Sequence, residues 1–242
     1  MTIRPTSGLG RVLQALIIAS AVTTLAVYAW GYVRLRDGTF VLPLPDPEGP
    51  PTFRTGRPVV GGILYLPGTV ATVAEIVWLF WQHRATENLW ARRYDGLRIR
   101  PGWAVGWWLI PVANLFMPCV AMLELDRRST PDGRPRRASP LIGVWWAAWV
   151  IYSIVPSVGL VIAANEPIRD VLSHLDQRST EIDLTNVAHA VAPWALIAAF
   201  LFALTGALAV AVVRRIDAAQ DALLEAPDGW LIPIPARPDA IA

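Results

Sequence analysis

The chain has 242 residues, of which 54% are hydrophobic and only 17% charged, with a formal net charge of +2. Its apolar residues gather into long runs, three beyond the roughly 18 residues that cross a hydrocarbon core and a fourth close to it, a pattern that excludes the short amphipathic stripes of a soluble domain. The small net charge argues against nucleic acid as a partner, and the lone Cys119 allows neither an intramolecular disulfide nor a thiolate metal centre.

His83, His174 and His189 lie too far apart to suggest a ligand set, so no metal and no cofactor is expected. Every basic residue is arginine. Coding bias explains that choice, and its physical consequence is a set of loops bearing planar guanidinium groups suited to phosphate.

Residues 1–10 are polar and carry Arg4, with Arg11 at the edge of the first apolar run. Val12 to Val33 is long enough to span and ends in Tyr28, Trp30 and Tyr32, which suit a membrane interface. A secretory signal has a shorter apolar core, so an uncleaved first span is expected over 1–33. Residues 34–66 follow as a proline-rich extracytoplasmic loop, since proline at this density opposes helix and central strand alike.

Pro67 suits the first turn of a second helix. Its apolar part runs to Trp81, and helical spacing continues through His83, Arg84, Glu87 and Asn88 to about Arg93. Glu75 lies within this span, and an ionisable group at membrane depth is a candidate for function. The plainer reading is a carboxyl facing the other helices.

Residues 126–140 hold five arginines with Pro and Gly, a basic loop. Ser139–Pro140 reads as an N-cap followed by proline in the first turn. A third span runs from Leu141 to Ala164, with Trp145, Trp146 and Trp149 as an interfacial belt. Ile168, Val171, Leu172 and Leu175 predict a short amphipathic helix. The last span runs from about Val187 to Val213 and stops at Arg214–Arg215, with helix continuing towards Glu225. A tail without periodicity follows from Pro227 and is expected to be disordered, so that 216–242 reads as a cytoplasmic helix end and tail.

Arginine counts set the orientation. Placing 83–140 and both termini inside leaves fifteen arginines inside and six outside, and requires four full spans. Trp103–Leu123 is apolar enough to cross, yet five arginines flank it on each side, and Pro111, Asn114 and Pro118 interrupt it. Non-helical backbone at membrane depth is tolerated only when buried in protein or facing water. The expected fold is therefore an all-α polytopic membrane helix bundle: four spanning helices plus a Pro-broken re-entrant or interfacial segment. A fifth, kinked span is the alternative.

The run FWQHRATENL, then RPGWAVGWWLIPVANLFMP, then LELDRRS resembles the actinobacterial membrane-protein family called domain of unknown function 4328. The resemblance rests on Trp81, Arg84, Ala85 and Asn88, then Gly102, Trp103, Ala104, Gly106, Trp107, Trp108, Pro111, Asn114, Leu115 and Pro118, with Glu124 completing it. It is dense over about 45 residues and extends loosely over 68–215, leaving the proline-rich loop and the tail from residue 216 outside. It implies a membrane core at 67–215 and supplies no activity.

Arg84 and Asn88 are one helical turn apart and share a face, from which they are expected to bond Asn114, carbonyls freed by Pro111 and Pro118, or Glu124. Gly102 and Gly106 would permit close helix approach. On that account the motif is a structural lock; the sharper account is a lipid-headgroup or small-solute site with Arg84 as phosphate donor. The reading ranked first is a non-catalytic scaffold or a regulatory or sensor component of the cell membrane, multi-pass with both termini cytoplasmic. Its expected partners are the bilayer, anionic headgroups at the arginine loops and proteins not identified. A small-solute or ion transporter or channel component ranks second, and an enzyme last.

Overall fold

A computed structural model describes residues 3–37, 58–92, 96–131, 134–175 and 185–225. Among these the chain is all-helical. Four long helices are α1 (Ser7–Arg36), α2 (Pro58–Ala91), α5 (Pro140–Leu175) and α6 (Thr185–Glu225), and two short ones are α3 (Pro101–Gly106) and α4 (Met117–Arg128). Between α3 and α4 the chain makes two single 3-10 turns, Trp107–Leu109 and Ala113–Leu115.

Among the described residues three helical stretches are long and apolar enough to cross a membrane: Ser7–Arg36, Pro140–Asn165 and His189–Glu225. Four were expected. The stretch of α2 from Tyr65 onwards is less apolar than these three, carrying Pro67, Thr69, Thr72 and Glu75 before it reaches Gln82 and His83.

Two helix limits also differ from expectation. Proline 67 lies inside α2, which begins at Pro58, within the stretch read as loop. The short amphipathic helix is instead the continuation of α5 to Leu175. The start of α5 agrees with the sequence: the Leu141 N–H donates to Ser139 Oγ at 3.3 Å. Residues 38–57 and the tail from 226 lie outside the described residues.

The 103–123 segment is not one helix. Pro111 has no N–H to give, and at Phe116 the backbone leaves helical geometry (φ −133°) before α4 restarts with Pro118 in its first turn. The chain reverses there, so that α3 packs back on α4. A break, rather than a kinked continuous span, is what the two prolines produce.

The chain divides into two compact units that cut across the long helices. One holds Ala15–Glu75 and Val144–Val210. Here Trp194 lies so close over Gly159 that a Cβ there would overlap its ring, and Tyr152 packs on Phe202 at 5.5 Å. Trp145 and Trp146, expected as an interfacial belt, are 3% and 8% exposed and belong to the interior. Ile18, Val22, Val158, Val161, Ile162 and Phe200 are exposed apolar side chains, a surface that suits lipid. The other unit holds Met1–Gln14, Ile76–Gly143 and Ala211–Ala242, and the candidate site lies within it.

Candidate functional site: a polar lock at the helix ends

On α2, Trp78, Trp81, Gln82, Ala85, Asn88 and Leu89 are buried, as is Arg92 just beyond its last residue. Their spacing of three and four places them on one face. The matching face of α6 carries Val212, Val213, Ile216, Asp217, Gln220 and Leu223, also buried. Both faces mix apolar with polar side chains. A polar group removed from water costs free energy unless it is bonded, and most of these are.

Trp81, fully buried, donates its indole N–H to Asp217 Oδ1 at 2.8 Å. Asn88 donates to the Arg4 carbonyl (2.8 Å) and to Gln220 Oε1 (2.9 Å), and its own oxygen accepts the Arg4 N–H at 2.9 Å. Gln220 in turn donates to Ser129 Oγ at 2.9 Å, and Ser129 closes onto the Leu125 carbonyl at 2.7 Å. One continuous chain of bonds thus ties residues before α1 to α2, α6 and the end of α4. Arg92 donates to the Leu223 carbonyl in the last turn of α6, where helix carbonyls lack intrahelical donors.

Asp126 is the charged centre of this unit. Its side chain is fully buried, with Oδ1 meeting Arg136 Nη2 at 2.6 Å and Arg215 Nε at 2.8 Å. Oδ2 accepts the Ser139 N–H at 2.8 Å. Burial by itself would raise this carboxyl, but the Ser139 N–H and the two guanidiniums outweigh it and hold it below its ordinary range. Arg136 also donates to the Asp126 carbonyl at 3.0 Å, which folds part of the 126–140 loop back on α4.

Gln82 accepts two indole N–H groups, from Trp78 at 3.0 Å and Trp108 at 2.9 Å. That fixes its amide orientation and leaves its NH2 group buried and unpartnered, as is the side-chain oxygen of Asn114. Glu124 accepts the backbone N–H groups of Arg98 (2.8 Å) and Ile99 (3.3 Å), and Trp90 donates to the Ile99 carbonyl at 2.9 Å. These bonds pin the approach to α3. Gly96 starts that approach at φ +74°, a conformation an L side chain adopts rarely.

The residues singled out from the sequence separate into three groups. Trp81, Asn88 and Glu124 are bonded as above, and Pro118 is buried. Trp103 and Trp107 stack at 4.7 Å on the broken segment, where Trp103 is half exposed and Pro111 exposed. Glu75 is exposed on α2. Arg84 is half-buried and, among the described residues, bonds neither Asn114 nor Glu124: the Glu124 carboxyl is committed to backbone N–H groups, and Asn88 turns to Gln220 and Arg4. Nor does Gly102 mark a close approach, since a Cβ there would meet nothing within 4 Å.

Asp126, Asp217, Gln220, Gln82 and Arg215 were not singled out. The signal for two of them was present: Asp217 and Gln220 fall at i, i+3 among Val213, Ile216 and Leu223, polar groups on the apolar face of a helix.

These features define a protein all-helical among the described residues, with apolar helices compatible with a membrane and a buried polar network that joins α2, α4 and α6. The family model for Domain of unknown function (DUF4328) matches residues 50–218, and the chain belongs to that family. The match reaches back into the proline-rich stretch, further than 68–215. Neither a curated protein nor a solved structure matches the chain.

Proposed function

We propose that this is a multi-pass protein of the cell membrane with a non-catalytic scaffolding or regulatory role. It has four spans, both termini cytoplasmic, and residues 103–123 inserted as a re-entrant or interfacial hairpin. The supporting observation is how the family motif is used. Its polar residues Trp81, Asn88 and Glu124 are tied into structural bonds within the fold, while Trp103, Leu109, Ile110, Val112, Leu115 and Phe116 are exposed on the broken segment. Polar groups turned inward and apolar ones outward suit a hairpin that sits in lipid.

The cytoplasmic face would meet anionic headgroups and protein partners. Within the 126–140 loop Arg136 is bonded to Asp126 and Arg128 to the Gly96 carbonyl, so Arg127 and Arg137, both exposed, are the loop residues best placed for headgroups. Reporter fusions at each terminus test the orientation: cytoplasmic activity at both is expected, and an active extracytoplasmic reporter at either end refutes the four-span arrangement. Cross-linking in native membranes should capture a reproducible protein partner through exposed loop positions. Recovery of the chain alone would remove the scaffold reading.

A transporter or channel component is the second reading, and Glu75 favours it, being an exposed carboxyl on α2 in the stretch read as a span. Glu75→Gln would then abolish flux in proteoliposomes.

A further inference from the structure

We infer that Arg11, Gln14 and Arg214 form a binding site for the phosphate of an anionic phospholipid, an inference that rests on the chain being embedded in a bilayer. The register of α1 against α6 brings Gln14 and Arg214 together. A Cβ on Gly10 would overlap the Asp217 carboxyl, and Arg214 Nε donates to Gln14 Oε1 at 2.9 Å. Positions 10 and 14 therefore face 217 and 214, one helical turn apart on each helix. Arg11 stands beside both on α1, its Nε donating to the Ser7 carbonyl at 3.4 Å.

The two guanidiniums differ from their neighbours in what they touch. Arg215 is committed to buried Asp126. Arg11 and Arg214 are exposed and, among the described residues, neither touches a carboxylate. Each uses its Nε inside the protein, which orients the planar group and leaves the Nη edge for a ligand. That edge matches two oxygens of a phosphate. The NH2 group of Gln14 adds a neutral donor beside Arg214.

What lies beyond Arg11 identifies a lipid rather than a soluble anion. Arg11, Ala15, Ile18 and Val22 recur at helical spacing on α1 and all are exposed. A guanidinium thus heads an apolar strip, the order of a headgroup above its acyl chains.

The test is native mass spectrometry of the full chain released from nanodiscs containing phosphatidylglycerol and phosphatidylcholine. The parent should retain phosphatidylglycerol selectively. Arg11→Gln with Arg214→Gln should weaken that retention about 25-fold, taking each arginine near an anionic surface as worth about fivefold. Gln14→Glu separates binding from folding: a carboxylate there would pair with Arg214, keep or raise stability in detergent, and expel the lipid. Inorganic phosphate at millimolar concentration should not displace the lipid; if it does, the site is one for a free anion and the inference fails. Undiminished retention in either variant also overturns it. Failure of the parent to enter nanodiscs at all would instead overturn the membrane reading on which the site depends.

Discussion

Gly10 is where one added methyl group tests the lock most directly. It is the fourth residue of α1, and a Cβ at that position would overlap Asp217 Oδ2 and lie 2.6 Å from Cγ and 2.9 Å from Oδ1. The carboxyl has little room to yield, since Asp217 is 6% exposed and holds the indole of fully buried Trp81. Displacing it breaks that bond and leaves a buried donor unmatched. The cost is about 1.5–3 kcal/mol for a hydrogen bond to a charged group.

Against this, alanine is the better helix former by about 1 kcal/mol. Gly10→Ala should therefore destabilise by about 0.5–2 kcal/mol, or roughly 1–8 °C in a chain of this size. Gly8 supplies the control, because a Cβ there meets nothing within 4 Å. Gly8→Ala should raise Tm by a few degrees, an effect of opposite sign two residues away. In an Asp217→Ala background the penalty at position 10 should vanish, as a double-mutant cycle in detergent would record. If Gly10→Ala raises Tm as Gly8→Ala does, the carboxyl does not occupy the place assigned to it.

Two further outcomes follow from the same unit. Asn88→Ala removes three hydrogen bonds and should cost about 2–4 kcal/mol, whereas Arg84→Ala should cost less than about 1 kcal/mol; chemical denaturation of both variants would show the order, and a reversed order refutes the assignment of Asn88 as the hub. Asp126 has its pKa lowered in the fold from an ordinary value of 3.8, so its stabilising contribution is present above that value and is lost as pH falls through the folded pKa. Thermal scans should show stability dropping in acid below about pH 3.8, with the drop reduced in Asp126→Asn; an unchanged acid slope would assign the acid sensitivity to other carboxyls.

Hydrophobic run length and proline position carried most of the fold. They located the three apolar helices, the Ser139 start of α5 and the break between Pro111 and Pro118. They misplaced the start of α2 because Pro58 and Pro67 were both read as punctuation, yet a proline is tolerated inside a long helix when neighbouring groups satisfy the carbonyl it frees. The candidate site was half legible. Local spacing brings Arg84 and Asn88 to adjacent positions on α2, but it carries no information about which helix lies opposite. Glu124 and Asp126 are two residues apart, and only the packing decides that the first holds backbone N–H groups while the second is buried between Arg136 and Arg215.

The span of the family match makes a related point about where the lock is completed. Residues 50–218 contain Trp81 and Asp217, so that bond is made within the matched segment. Asn88 also lies within it, but both of its partners, Arg4 and Gln220, lie outside. Gly10, whose missing side chain makes room for Asp217, lies outside as well. An unpaired buried amide is costly enough to matter in a marginally stable bundle. The matched segment therefore supplies polar groups that are satisfied only when the residues before α1 and the last turns of α6 close over them. In this chain the N-terminal segment is accordingly a working part of the lock, and Asn88 is the residue through which it is joined to the rest.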